Sequence, residues 1–238
     1  GRRRLVYVSK SGRKSSSEHS IDKDGNITLQ AFEMVDDYAR ERADGKGIDY
    51  KYRVPIPKPL QYRKKKLPID PYDLGVWLGD GDKNDNRIAV GKDDLETLLR
   101  ELKKRGVDIG SVKMFSGKYE VRIGKLIEPH KNDIRDALRD LHVWKNKHIP
   151  ERYFSASIEQ RLELLKGLMD TDGTVSKAGQ CFFTQKRKNI IGDVSRLLSS
   201  LGIKHTIARK DAKCGDVICE AYSIQFWVDK KHTCFCYE

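Results

Sequence analysis

Apolar residues recur at helical spacing in several stretches of the chain. Leu95, Leu98, Leu99 and Leu102 fall at i, i+3, i+4 and i+7, which predicts a helix over about 93–105. Asp93 or Asp94 caps its start, and Gly106 ends it after Lys103, Lys104 and Arg105. Ile190, Val194, Leu197, Leu198 and Leu201 line a second helix over about 189–200, closed by Gly202. Residues 134–141 read as a third, and Leu29, Phe32, Val35, Tyr38 and Ala39 predict a helix over 29–42. Between these lie β-type stretches at 87–90, 112–123, 180–184, 203–209 and 221–228.

The order of these elements repeats. Each copy starts with a short apolar run that ends in an acid followed by glycine. The first is Leu74-Gly75-Val76-Trp77-Leu78-Gly79-Asp80-Gly81; the second ends Lys166-Gly167-Leu168-Met169-Asp170-Thr171-Asp172-Gly173. Strand, helix and further strand sequence follow both. A repeat of this length implies pseudo-twofold symmetry. The first part is different in texture. It holds strand candidates at Leu5–Val8 and Tyr50–Val54, the helix-excluding Pro55-Ile56-Pro57-Lys58-Pro59, and the basic tract Arg63-Lys64-Lys65-Lys66. The chain therefore divides into an extended basic lead-in at 1–67 and two halves at 68–155 and 156–238.

Glycine inside a helix costs about 1 kcal/mol against alanine. Gly75 and Gly79 lie one turn apart on one side, as do Gly167 and Thr171. Small residues so spaced let two helix backbones approach closely. If the two runs pack together, Asp80 and Asp172 meet at their C-terminal ends, with Gly81 and Gly173 ending the helices in the left-handed conformation. Two carboxylates at helix C-termini oppose each other and both dipoles. A divalent cation relieves the conflict, and hard oxygen ligands suit Mg²⁺, with Ca²⁺ or Mn²⁺ able to substitute in binding.

Charge points to an acidic partner. Lys plus Arg number 47 against 35 Asp plus Glu in 238 residues, a formal net charge of +12. No apolar run reaches the roughly 18–20 residues of a membrane span, and no signal peptide leads the chain, so an intracellular location is expected. The C-x4-C and C-x-C spacings among the five cysteines can be read as a zinc site with His232, but they match no common zinc module, and reduced thiols are the favoured reading.

The paired runs, with Leu67-Pro68-Ile69-Asp70-Pro71-Tyr72-Asp73 before the first and Lys147-His148-Ile149-Pro150-Glu151-Arg152-Tyr153 and Gln160-Arg161-Leu162 before the second, resemble the LAGLIDADG homing endonucleases, in particular the intein-encoded subgroup. The resemblance covers roughly 67–230. It implies an α+β protein of two αββαββα subdomains, each with a four-stranded antiparallel sheet forming half of a saddle over double-stranded DNA. It implies a monomer that hydrolyses phosphodiesters at a long target and leaves short 3′ overhangs. The last acid of each motif holds metal, which carries to Asp80 and Asp172, with Gly79 and Thr171 beside them in the metal set. A lysine after the last strand of each half assists, which points to Lys125 and to Lys230 or Lys231. Asp82 and Asp170 have no such role.

Alternating strand positions nominate Arg87, Lys113, Arg122, Gln180, Gln185, Lys204, Thr206, Arg209 and Gln225 as base readers, with Lys186, Lys188 and Lys210 on phosphates. The halves differ at 83–88 against 174–180, and the second alone has the insert 211–219, so the target is expected to be asymmetric. The family's splicing domain needs a first-residue nucleophile and a terminal His-Asn; Gly1 and the absence of any His-Asn pair predict that the chain does not splice. A cleavage-inactive binder, whether an RNA maturase or a DNA-binding regulator, is the competing reading, and the presence of both acids argues against it.

Overall fold

The computed structural model describes residues 2–8, 14–20, 29, 34–35, 38–50, 52, 57–128, 131–214 and 217–228. The chain falls into two units, Gly1–Pro55 and Ile56–Glu238. In the first, β1 (Arg2–Val8) pairs antiparallel with β2 (Lys14–Ser20), and β3 (Ala39–Glu41) with β4 (Ile48–Tyr50). The helix expected over 29–42 gives way at 39–41 to strand β3. Gly45, at φ 65°, turns the chain directly after it, and Arg42 N–H closes the hairpin on Gly47 O at 2.9 Å. Val35 and Tyr38 are exposed, and Tyr38 stacks on Tyr50 with ring centroids 6.5 Å apart. The remainder of that expected helix and most of 50–54 lie outside the described residues.

The second unit runs α1 (Pro71–Asp80), β5 (Arg87–Val90), α2 (Leu95–Lys104), β6 (Ile109–Phe115), β7 (Lys118–Ile123), β8 (Leu126–Glu128), β9 (Lys131–Asn132), α3 (Asp133–Asp140), α4 (Glu151–Phe154), α5 (Ile158–Asp172), β10 (Gly173–Val175), β11 (Cys181–Gln185), α6 (Lys188–Ser200), β12 (His205–Cys214) and β13 (Val217–Phe226). Mixed α+β architecture with antiparallel sheets is what the family resemblance implies. The second half carries a four-stranded sheet in the order β10-β11-β13-β12. The first has three strands, β5-β7-β6, and where β10 would sit there is a single bridge from Gly81 to Ile88. The expected fourth strand is thus reduced to one residue pair. The seventh element expected of the second half falls beyond β13, outside the described residues.

α1 and α5 pack backbone to backbone. A Cβ on Gly75 would stand 2.5 Å from Leu164 O, and one on Gly167 2.1 Å from Tyr72 O. Neither position tolerates a side chain, which explains why glycine is kept inside both helices. Their starts are fixed by local chemistry. Asp70 accepts from Tyr72 N–H at 3.0 Å with Pro71 next in the chain, and Ser157 and Gln160 form a reciprocal capping box. Both helices end differently from expectation. Gly81 (φ −70°, ψ 148°) and Gly173 (φ −92°, ψ 156°) are extended rather than left-handed. The chain passes straight into sheet pairing, and glycine is needed for space: a Cβ would lie 2.4 Å from Trp77 O and from Met169 O respectively.

Residues 57–67, expected as part of the lead-in, pack on the second half. Leu60 N–H donates to Ser200 O at 2.9 Å, and Lys65 and Gln160 exchange two hydrogen bonds of 2.9 and 2.7 Å. Fully buried Arg161 secures the junction, donating to the carbonyls of Leu60, Ala156 and Ser200. The helix–sheet core is Leu98, Leu102, Ile88, Val121 and Ile123 in one half and Leu197, Leu198, Phe183, Ile224 and Phe226 in the other.

Gly167→Ala is expected to lower stability by about 3 kcal/mol or more through helix separation. Gly192→Ala, in the middle of α6 with nothing within 4 Å of the added carbon, is expected to raise it by up to about 1 kcal/mol. Denaturant titration of the two variants measures both.

Candidate active site

The close packing of α1 on α5 brings their C-terminal ends together. Asp172 Oδ2 stands 3.1 Å from where a Cβ on Gly79 would be, so the Asp172 carboxylate lies against the residue that precedes Asp80. Thr171 fills the same gap, its hydroxyl folded back on Leu168 O at 2.9 Å. Solvent reaches Asp80, while the neighbouring helix withholds part of its hydration. Burial, reinforced by the charge of Asp172, raises the Asp80 pKa to about 6. Asp172 is also raised, again chiefly by burial, and is partly compensated by Gln185, whose amide donates to Oδ2 at 2.6 Å.

A cation is already at this place. Lys147 is buried, 4 % exposed, and donates from Nζ to Gly79 O at 3.1 Å. Its ammonium also sits 5.1 Å from the centroid of the Trp77 ring. Burial and the Arg187 charge lower its pKa to about 8, against the pull of Asp172 and Asp80. Asn189 holds the segment by donating to Lys147 O at 2.7 Å. The sequence reading missed this lysine, because nothing local in Val143-Trp144-Lys145-Asn146-Lys147 marks one cation as buried. The lysine it chose instead, Lys125, is exposed after β7; its backbone N–H donates to Asp133 at 2.7 Å. Lys230 and Lys231 lie outside the described residues.

Among the described residues no three His, Cys, Asp or Glu side chains gather to hold a metal. The donors available for a hard cation are the two carboxylates and the helix-end carbonyls, with substrate oxygens and water completing the shell. That set fits Mg²⁺. Lys147 engages Gly79 O, one of the positions placed in the metal set. Asp170, left out of it, accepts from Tyr72 Oη at 2.9 Å, and Asp82 pairs with Arg87 at 3.4 Å.

The strand register sorts the expected base readers. Arg87, Lys113 and Arg122 share one face of the first sheet, opposite to buried Ile88 and Val121. Gln225 and Thr206 pair in register with Phe182 on the outer face of the second sheet, and Gln180 donates to Gln225 at 3.5 Å. Gln185 and Arg209 lie on the other face, in the alternation of Phe183 and Ile207. Gln185 goes to Asp172, and Arg209 pairs with Glu220 at 3.2 Å. The side-chain period is two, so Thr206 and Arg209, nominated together on β12, point to opposite faces of the sheet. Lys186, Lys188, Lys204 and Lys210 are exposed around this sheet. A cavity of about 700 Å³ opens beside Gln180, Lys204, Gln225 and Trp227, and neither acid lines it.

Comparison with known proteins bears on the second half directly. Residues 159–225 match the LAGLIDADG-like domain. The match begins in α5 and ends in β13, so it takes in Asp172. Over 173 residues, 72 % of this chain, the sequence is 30 % identical to the replicative DNA helicase DnaB of Mycobacterium intracellulare. The chain spans about a quarter of that relative's length, 26 %. Two solved structures of the homing endonuclease I-DmoI are also similar, each at 19 % identity over 67 % of this chain. One is among its mesophilic variants (TM-score 0.44, 88 % of that chain) and one is a variant in complex with its target DNA in the presence of manganese (0.45, 86 %). No helix among the described residues is long and apolar enough to cross a membrane.

A second raised carboxyl lies in α1, at its opposite end. Asp73 is 1 % exposed, its Oδ1 has no hydrogen-bond partner, and burial with the charge of Asp70 raises its pKa to about 8. The folded state therefore binds this proton more tightly than the unfolded chain. Its stabilising effect is complete below about pH 4 and is lost as the pH rises to about 8. Asp73→Asn is expected to match the parent near pH 4 and to exceed it by on the order of a few kcal/mol at pH 8 and above. Melting temperatures across that range measure the difference.

Proposed function

We propose that the chain is a site-specific endonuclease of duplex DNA, of the LAGLIDADG homing type. The observation that carries this reading is the meeting of Asp80, Asp172 and buried Lys147 at the adjoining ends of two glycine-bearing helices. Two antiparallel sheets flank that point, carrying Arg and Lys side chains that reach solvent and half-buried glutamines. The LAGLIDADG-like match over the second half supports it. So does the alignment of this segment to one quarter of a much longer helicase chain, which fits an intein-type endonuclease carried within a host protein. The asymmetry of the two halves supports a single chain acting on a long, non-palindromic target; short 3′ overhangs are what the resemblance to the homing type adds.

Hydrolysis of a phosphodiester needs a placed water, neutralisation of the phosphoryl oxygens and support for the leaving oxygen. Asp80 and Asp172 would hold Mg²⁺, and a cation bound there supplies Lewis-acid charge at the scissile phosphate. The two carboxylates orient attacking water and, being raised in pKa without a cation, gain from its arrival. Gln185 fixes the Asp172 carboxylate. Lys147, with a pKa of about 8, is charged at pH 7 and holds a proton at Nζ that it gives up more readily than an exposed lysine. It stabilises the charge that develops on the phosphoryl and leaving oxygens.

Asp80→Asn and Asp172→Asn are each expected to abolish nicking in Mg²⁺ while duplex affinity stays within a few-fold. Lys147→Met is expected to slow cleavage by on the order of 10²–10³. Full cleavage by either Asn variant would exclude the paired-acid site, and a parent that binds the duplex in Mg²⁺ without nicking it would leave a binder.

Duplex affinity is expected to fall steeply between about 50 and 200 mM salt, with a log–log slope of several phosphate contacts, about five or more. A flat dependence would exclude a lysine- and arginine-lined DNA saddle.

A further inference from the structure

Arg87 and Arg122 face each other across β5 and β7, and a single carboxylate holds both. Arg87 Nε donates to Asp85 Oδ2 at 2.7 Å, and Arg122 donates to the same oxygen from Nη2 at 3.0 Å and to Oδ1 from Nη1 at 3.2 Å. Asp85 is fixed in turn. Its Oδ1 accepts from Asn86 N–H at 2.8 Å, and its carbonyl accepts from the Trp77 indole of α1 at 3.0 Å. Glu120 takes a further Arg87 donor at 2.5 Å, and Asp82 another at 3.4 Å. Asp85 is 17 % exposed, whereas Arg87 and Arg122 remain 35 % and 41 % exposed on the outward face.

Three carboxylates on a surface meant only for phosphate would repel it. The same carboxylates suit base reading. Arginine presents a planar fork that matches O6 and N7 of guanine in the major groove, and a carboxylate accepts from N4 of cytosine. A long side chain ordered before the duplex arrives loses less freedom on binding. Without Asp85 between them, two guanidinium groups at one register position would repel each other.

We propose that Asp85 is a positioning residue that sets Arg87 and Arg122 as readers of guanine in the half-site under the first sheet. The proposal rests on the reading of the chain as a duplex-DNA endonuclease. The test is selection of bound duplexes from a randomised library by the parent, Asp85→Asn and Arg122→Lys, with melting temperatures of all three. The parent is expected to select guanine strongly at one or two positions in one half. Both variants are expected to lose that preference by about tenfold or more, to keep the other half's preferences, and to melt within a few degrees of the parent. Arg122→Lys keeps the charge and loses the fork, so the same loss there ties the effect to guanine reading. An unchanged motif from Asp85→Asn overturns the proposal, as does a loss spread over both halves with a lowered melting temperature. A parent that selects no duplex overturns the endonuclease reading itself, and the positioning role with it.

Discussion

The meeting of the two acids and the buried lysine depends on how closely α1 and α5 approach. At Gly75 and Gly167 the backbones are in van der Waals contact, with no room for a methyl group. That contact fixes the axial register of the two helices, and the register places their last residues together. Side-chain packing alone would hold the axes about 8–10 Å apart, leaving room between the helix ends. Here the gap is filled by Thr171 and the Asp172 carboxylate against Gly79, and the helix-end carbonyl of Gly79 is turned to Lys147.

The electrostatics follow from that geometry. Two acids at helix C-termini are disfavoured by each other, by the dipoles and by lost hydration. Their raised pKa values express the conflict, and Lys147 relieves only part of it, being itself burdened by burial. A folded protein keeps such a conflict where function requires it. Asp73, in the first turn of α1, shows the same physics: a carboxyl withdrawn from water beside the charge of Asp70 holds its proton more tightly.

The helix pairing and the two acids were legible in the sequence because glycine is costly inside helices, so its recurrence at one-turn spacing beside Asp-Gly carries information. α2, α3 and α6 were legible from their apolar period, to within two residues at each end. What was not legible is tertiary. Lys147 is one of two lysines in three residues, and only packing against Trp77 distinguishes it. The extended backbone at Gly81 and Gly173 depends on a sheet partner and on Trp77 and Met169, where an Asp-Gly pair alone suggests a left-handed cap. The face taken by Gln185 and Arg209 was not legible either, since it depends on parity within the strand and one residue of slip transfers a side chain to the opposite face. The 57–67 segment looked like a linker because its anchors, Arg161 and Ser200, lie a hundred residues or more beyond Leu60 in the chain.

The glycine contact has a further consequence, because both of its sides belong to one polypeptide. In a homodimer built on a two-fold axis every substitution appears twice and must remain compatible with itself. In this chain a change on α1, β5 or β7 appears once, and its counterpart on α5, β11 or β13 is a different codon. Either sheet is then free to drift in charge and shape while the other stays constant. The first carries an arginine–carboxylate lattice and the second a set of glutamines and exposed lysines. Divergence of this kind is closed to a symmetric assembly, and the shared backbone seam between the helices is what makes it compatible with a constant pair of acids.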